Sequence, residues 1–312
     1  DNFGEVENKG VDFYINSIVV ENDDFNWNFN ANLGINKNKL NKLNSNLDFQ
    51  LGPSIGFSQA YPILFMVGQP LGIYWGAQTD GIYADWEEAI NSGIAGAAPG
   101  EIKYLNNYVD VDESGQPLAI QEINFDDYVK IGDPNPDFTY SISNNFTYKN
   151  WDASILFTGQ KGGDLFWVDS WQLSGLQKTT NVLSSSFENS WKAPLVYENG
   201  SYVYNPLAAN VNNVGHPGAL IDTGARAISS DRNIYDGSFI RLKNINIGYN
   251  FEFSQGRNMR VYISGQNLFV WTDYPGYDPE VKTYTKNPQK RGVDFGTYPG
   301  TKSMLIGLKF NY

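Results

Sequence analysis

The dominant regularity along the chain is a strict alternation of apolar and polar residues, with almost no helical period. Between positions 24 and 36, Phe25, Trp27, Phe29, Ala31, Leu33 and Ile35 fall on one side, and Asn26, Asn28, Asn30, Asn32, Gly34 and Asn36 on the other. Successive side chains of a strand point to opposite faces, so this stretch predicts a strand with one greasy and one wet face. At 137–149, Phe138, Tyr140, Ile142, Phe146 and Tyr148 oppose Thr139, Ser141, Ser143, Asn145 and Thr147. The signature returns at 244–253, 258–271 and 303–312, and more loosely at 11–20 and 151–162.

A soluble β-sandwich also alternates, but its strands usually run to about 5–6 residues. These runs reach roughly ten to fourteen, and a strand crossing a bilayer needs about 9–11. The wet face is rich in Asn, Ser, Thr and Gly, as a solvated lumen requires, and Phe25, Tyr148, Trp151, Phe253, Trp271 and Tyr312 lie near run ends, where interfacial girdles belong. The connections are unequal. Val20 to Asp24, Lys149 to Trp151 and Ser254 to Arg257 are tight, whereas 37–57, 85–136, 164–237 and 272–300 are long. Outer-membrane barrels pair short periplasmic turns with long extracellular loops in this way. Counting 58–67 and 71–83 as two further crossings keeps the up-and-down parity and gives about nine strands. An open wall leaves bare backbone groups in lipid at both edges. The missing wall is therefore expected from residues before Asp1 or from another chain. The opening Asp1-Asn2-Phe3-Gly4 carries no initiator Met and no signal peptide, which a secreted barrel must have had.

Composition sharpens this picture. Aromatics make up 15% of the 312 residues and charged residues only 18%, against about 25% charged in a typical soluble domain. The 31 Gly suit a turn-rich all-β chain. A net charge of −12 argues against a nucleic-acid partner. No apolar stretch approaches the roughly 20 residues of a transmembrane helix. Strands escape that test, because their lumen-facing residues are polar.

Candidate chemistry is sparse. There is no Cys, and His216 is the only histidine, so a zinc site or a Ser–His catalytic pair is not expected. Asp110-Val111-Asp112-Glu113-Ser114-Gly115 opens like an oxygen-ligand calcium loop. Asp110, Asp112 and Ser114 are the candidate ligands of a structural Ca²⁺, against the alternative of an ordinary acidic turn. Position twelve of that loop is Gln121, with Glu122 one residue out of register. Asp85-Trp86-Glu87-Glu88, followed by Gly93, predicts a short capped helix. Trp167, Trp171, Trp191, Tyr202 and Tyr204 fall in the long 164–237 loop. Of these, Trp167, Trp171, Tyr202 and Tyr204 are candidate contacts for a ligand or partner, although such aromatics more often pin a loop onto itself.

Particular residues carry a family resemblance. Asp236-Gly237-Ser238-Phe239-Ile240-Arg241-Leu242-Lys243-Asn244 resembles a signature of the SusC/RagA group of TonB-dependent outer-membrane transporters. Ser264 to Phe269 (SGQNLF), Tyr274 to Glu280 (YPGYDPE) and Gly296 to Pro299 (GTYP) follow in the family's order. Upstream, Ile131 to Phe138 (IGDPNPDF), Thr79 to Ile82 (TDGI) and Gly10 to Phe13 (GVDF) also fit, so the resemblance spans essentially the whole chain. It implies an all-β fold, the C-terminal portion of a 22-stranded antiparallel transmembrane β-barrel with long extracellular loops. A signal, a plug domain, earlier strands and a TonB-contacting segment then lie upstream of residues 1–312. A barrel of that size has a plugged lumen. The resemblance also implies the outer membrane of a Gram-negative bacterium, contact with its lipids, a SusD-like surface lipoprotein as lid, and glycan or peptide fragments as cargo. A terminal aromatic such as Tyr312 is the usual signal to barrel-assembly machinery.

Three functions compete on this reading. The first is a TonB-dependent importer without enzymatic activity. The second is a SusC-like barrel serving as a structural or docking component of another outer-membrane assembly. The third is a secreted carbohydrate-binding sandwich, which buffer alone would extract.

Overall fold

A computed structural model describes residues 4–44, 47–55, 61–174, 181–191, 195–204, 228–281, 283–284 and 286–311. The alternating stretches become seven antiparallel strands of one sheet. They are β1 (Gly4–Glu21), β2 (Phe25–Leu43), β3 (Pro136–Tyr148), β4 (Trp151–Gly162), β5 (Phe239–Glu252), β6 (Asn258–Trp271) and β7 (Ser303–Asn311). Their order in the sheet is their order in the chain, a plain meander. They run to 18, 19, 13, 12, 14, 14 and 9 residues. That matches the roughly 9–11 that a tilted crossing requires, with overhang at most strands.

At one end the strands join by tight turns. Asn22 Oδ1 accepts from the backbone N–H groups of Asp24 (3.1 Å) and Phe25 (2.8 Å). Lys149 adopts φ 51° between β3 and β4. The turn from β5 to β6 closes through Phe253 N–H donating to Arg257 O, with Gly256 at φ 75°. At the other end the described residues of the connections 44–135, 163–238 and 272–302 fold into a cap of short elements. Phe49–Leu51, Ile63–Met66, Ile73–Gly76 and Val129–Gly132 form a four-stranded sheet, and Asp164–Trp167 is sandwiched between Ile234–Asp236 and Val293–Asp294.

The structure departs furthest from the sequence pattern between β2 and β3. Positions 58–67 and 71–83 contribute no crossings. Among the described residues within them, the strands are Ile63–Met66, Ile73–Gly76 and Thr79–Ile82, four residues each and too short to span. Ile63, Leu64, Phe65, Ile73 and Tyr74 are all buried, which is the continuous apolar run of a strand covered on both faces. The wall therefore has seven strands, not about nine. The expected loop 37–57 is also shorter, because β2 runs on to Leu43, and its remainder joins the expected loop 85–136 in a single excursion, 44–135. The flanking strands β2 and β3 pair directly from Phe25↔Tyr148 to Gly34↔Thr139. Parity survives because two crossings were removed together.

The packed core lies in the cap. Leu40, Leu43, Ile55, Ile63, Phe65, Tyr74, Phe166, Val168 and Val293 form one buried cluster. The helix expected after residue 84 is Trp86–Asn91, with Asp85 accepting from Glu88 N–H and Glu88 reaching back to Ala84 N–H. Gly93 follows at φ 67°.

Candidate functional site

The wall has two faces, and the register decides what each can do. Trp27 pairs with Val20 and Phe146, Phe146 with Ala153, Ala153 with Ile247, Ile247 with Ile263, and Ile263 with Ile306. Directly paired residues share a face, so one apolar row crosses all seven strands. Parallel rows run above and below it. Ile247 is 45% exposed, Ile306 75% and Met304 78%. Trp27 is half-buried, stacked on Phe146 at 5.8 Å, and its Nε1–H donates to Asn144 Oδ1, which pairs a polar side chain standing on the apolar face. Among the described residues no second layer covers these side chains. A contiguous exposed apolar surface of this extent marks contact with a membrane or a partner.

The opposite face is wet and knitted by side-chain hydrogen bonds. Asn26 Nδ2 donates to Thr147 Oγ1, and Asn32 Oδ1 accepts from Ser141 N–H and Oγ–H. Arg260 donates through Nε to Asp152 Oδ2 (2.9 Å) and through Nη2 to Asp152 Oδ1 and to Asn246 Oδ1. Its guanidinium lies 4.7 Å from the centre of the Tyr262 ring. Asn250 Nδ2 completes the group on Asp152.

Where wall meets cap, the residues behind the resemblance come together. Arg241 of β5 donates from Nη2 to Asp278 Oδ1 at 2.5 Å, and its Nε lies 2.7 Å from Glu280 Oε2, a close ion pair off the hydrogen-bond axis. The Arg241 and Asp278 side chains are 4% and 7% exposed. A guanidinium buried this deeply is tolerable only with paired carboxylates. Thus the 236–244 motif is bolted to the 274–280 motif, and Gly300 lies against Asp278 with no room for a side chain. Ser238 N–H and Oγ–H both donate to Asp236 Oδ1, a local turn that starts β5. On the other flank, Asp164 Oδ2 accepts from Asp133 N–H at 2.7 Å, and Asn135 Nδ2 donates to Leu71 O and Asp133 Oδ1. Burial raises the Asp164 carboxyl above the usual carboxylate range, with the charges of Asp133 and Asp236 adding to it.

The residues singled out in the sequence are scattered. Asp112 Oδ1 accepts from Ser114 N–H, Ser114 Oγ–H and Gln116 N–H. Those bonds hold its carboxyl below the ordinary value, the Ser114 hydroxyl foremost. Asp110 turns elsewhere, accepting from Glu122 N–H and Asn124 Nδ2. Among the described residues no three His, Cys, Asp or Glu side chains gather as a metal set. Trp167 is 6% exposed and packs edge-on against Tyr235 (5.6 Å) and Tyr274 (6.2 Å). Trp171 packs edge-on against Phe166 at 5.4 Å. Trp191 is buried and donates to Ala84 O, tying the 163–238 connection to the helix start. Tyr202 and Tyr204 belong to the hairpin of Leu195–Glu198 with Ser201–Tyr204, and their side chains lie outside the described residues, as do His216 and Tyr312. Arg241 carried no sequence signal of its pairing beyond its place in the 236–244 motif.

No protein-family model matches the chain. Among curated proteins, TonB-dependent receptor P3 of Formosa agariphila is 33% identical over 323 residues, covering all of this chain and 29% of its own. TonB-dependent receptor SusC of Bacteroides thetaiotaomicron is 26% identical over 332 residues, covering all of this chain and 27% of its own. The structure of the RagAB peptide transporter superposes with a TM-score of 0.69 at 20% identity, over 99% of this chain and 30% of that one. The chain spans less than a third of the length of these relatives. The uncovered apolar face, the meander and the rim residues have the same explanation: the chain belongs to the TonB-dependent receptors of the SusC/RagA group, as a stretch of their β-barrel.

Proposed function

We propose that the chain forms part of the wall and extracellular rim of an outer-membrane importer in a Gram-negative bacterium. In this reading the apolar face contacts lipid and the wet face lines the lumen. The tight turns face the periplasm and the cap faces outward. The single observation that carries it is the row from Val20 to Ile306, apolar and uncovered by other described residues across seven paired strands.

Transport itself belongs to the whole protein. TonB engages a segment outside these residues, a SusD-like surface lipoprotein closes over the cap, and the cargo is a peptide or glycan fragment. The likeness to the RagAB peptide transporter makes peptides the first class to try. The test is purification of the full-length protein from outer membranes in detergent, with partners identified, followed by uptake of peptide and oligosaccharide mixtures by cells with and without TonB. Import predicts a co-purifying lipoprotein and TonB-dependent uptake of one class. A large stable assembly with no uptake of either class points to a scaffold instead, and extraction into buffer without detergent overturns both.

A further inference from the structure

The apolar face is not a smooth belt. Between β4 and β7 it holds a hollow of about 700 Å³ lined by Trp151, Ile247, Phe251, Val261, Leu268 and Met304. Its floor is Gly265. A Cβ there would meet Leu268 Cδ1 at 2.7 Å and Ile245 Cγ2 at 3.2 Å. Leu268 reaches this place through a bulge in β6. The register with β5 steps from Asn244↔Gln266 to Leu242↔Phe269, and Asn267 adopts φ 52°. Bulges re-aim side chains, so the 264–269 motif builds both the floor of the hollow and one of its walls. At the cap end, Lys302 precedes Met304 by two residues and lies over the Phe269 ring at 5.6 Å. No carboxylate of a described residue forms an ion pair with it.

We propose that this hollow retains one acyl chain of a phosphate-bearing lipid from the leaflet on the cap side, its phosphate set against Lys302. The inference rests on the apolar face being in lipid. A hollow walled by carbon offers water too few polar partners to hold it, whereas each buried methylene adds to the retention of a chain. The cation at one end, on a protein of net charge −12, selects the anionic headgroup and fixes which way the lipid lies.

The experiment is native mass spectrometry of the full-length protein in detergent, titrated with dipalmitoyl phosphatidic acid and, in parallel, with dipalmitoylglycerol, which lacks the phosphate. The wild type is expected to show one tight site for phosphatidic acid, and Lys302→Gln to weaken it about fivefold, to the level of dipalmitoylglycerol. Met304→Trp fills the hollow from its exposed rim without touching the floor, and Gly265→Leu fills it from below. Each should weaken the tight site about tenfold or more, while Ile18→Trp on β1 leaves it unchanged. Equal binding by wild type and Met304→Trp overturns the hollow as the site. Equal affinity of the wild type for both probes overturns the role of Lys302. A protein that partitions into buffer without detergent fails at the earlier step, the lipid-facing wall itself.

Discussion

The wall and the cap bury apolar residues by opposite rules. In the cap, Ile63, Leu64 and Tyr74 are buried though they sit on strands of four residues, because other protein covers both faces. On the wall, Ile306 and Met304 stand 75% and 78% exposed on β7, which pairs with β6 along its length and forms one edge of the sheet. The cap solves a soluble protein's problem, and its strands lose alternation as a result. In the proposed reading the wall solves the problem of a backbone that must satisfy its own hydrogen bonds in hydrocarbon, so it keeps alternation and length. The two regions meet at Arg241, where a charge in neither water nor lipid is held by Asp278 and Glu280.

That junction should be the most sensitive point of the comparison. Arg241→Leu leaves Asp278 buried without its cation, and we expect a loss of about 3–5 kcal/mol. In denaturant titrations of the full-length protein this should appear together with early proteolysis within 272–302. An Arg241→Leu protein as stable as wild type would show the ion pair to be incidental.

Next in size is the wall. Ile247→Arg should cost about 2–4 kcal/mol in vesicles, as a cation near the middle of a lipid-facing strand does. Asn28→Arg, on the wet face of β2 beside Trp27, should cost far less. Equal penalties for the two would erase the distinction between the faces. Within the cap, Ile63→Val should cost about 0.5–1.5 kcal/mol, as in any packed core. Ile306→Val, with no packed neighbour to lose, should stay within error in the same urea titrations.

The smallest effect is electrostatic. Asp164 binds its proton more tightly folded than unfolded, since burial raises its pKa. The folded state therefore holds more protons between the unfolded and folded values, and stability falls as pH rises through that window. Asp164→Asn keeps the acceptor for Asp133 N–H and removes the charge. It should raise the melting midpoint at pH 7, with the gain fading as the pH is lowered. A gain that persists at low pH would locate the effect elsewhere.

How much the sequence revealed follows from the same contrast. An apolar face opposite a wet one imposes a period of two, so β2, β3, β5 and β6 could be placed from Phe25, Tyr148, Ile247 and Ile263 alone. The described part of the run at 303–312 likewise forms β7. The expected strand at 11–20 is longer, since β1 starts at Gly4: Glu5, Glu7 and Lys9 carry it beyond the greasy belt, where alternation carries no signal. Ile63 to Val67 misled because a run apolar at every position is a strand with two covered faces, which resembles a crossing only in its hydrophobicity. The bulge at Asn267 and the contact from Arg241 to Asp278 were unreadable in advance. The first depends on register, and the second joins residues 37 apart.

The central claim is that the row through Ile247 touches hydrocarbon. Nitroxide labels on Ile247→Cys and Asn246→Cys, in a cysteine-free background of the full-length protein in vesicles, test it by collision with oxygen and with a water-soluble nickel complex. The account predicts that the label at 247 is relaxed by oxygen and shielded from nickel, with the order reversed at 246. Nickel reaching 247, or neither reagent reaching it, would contradict the account.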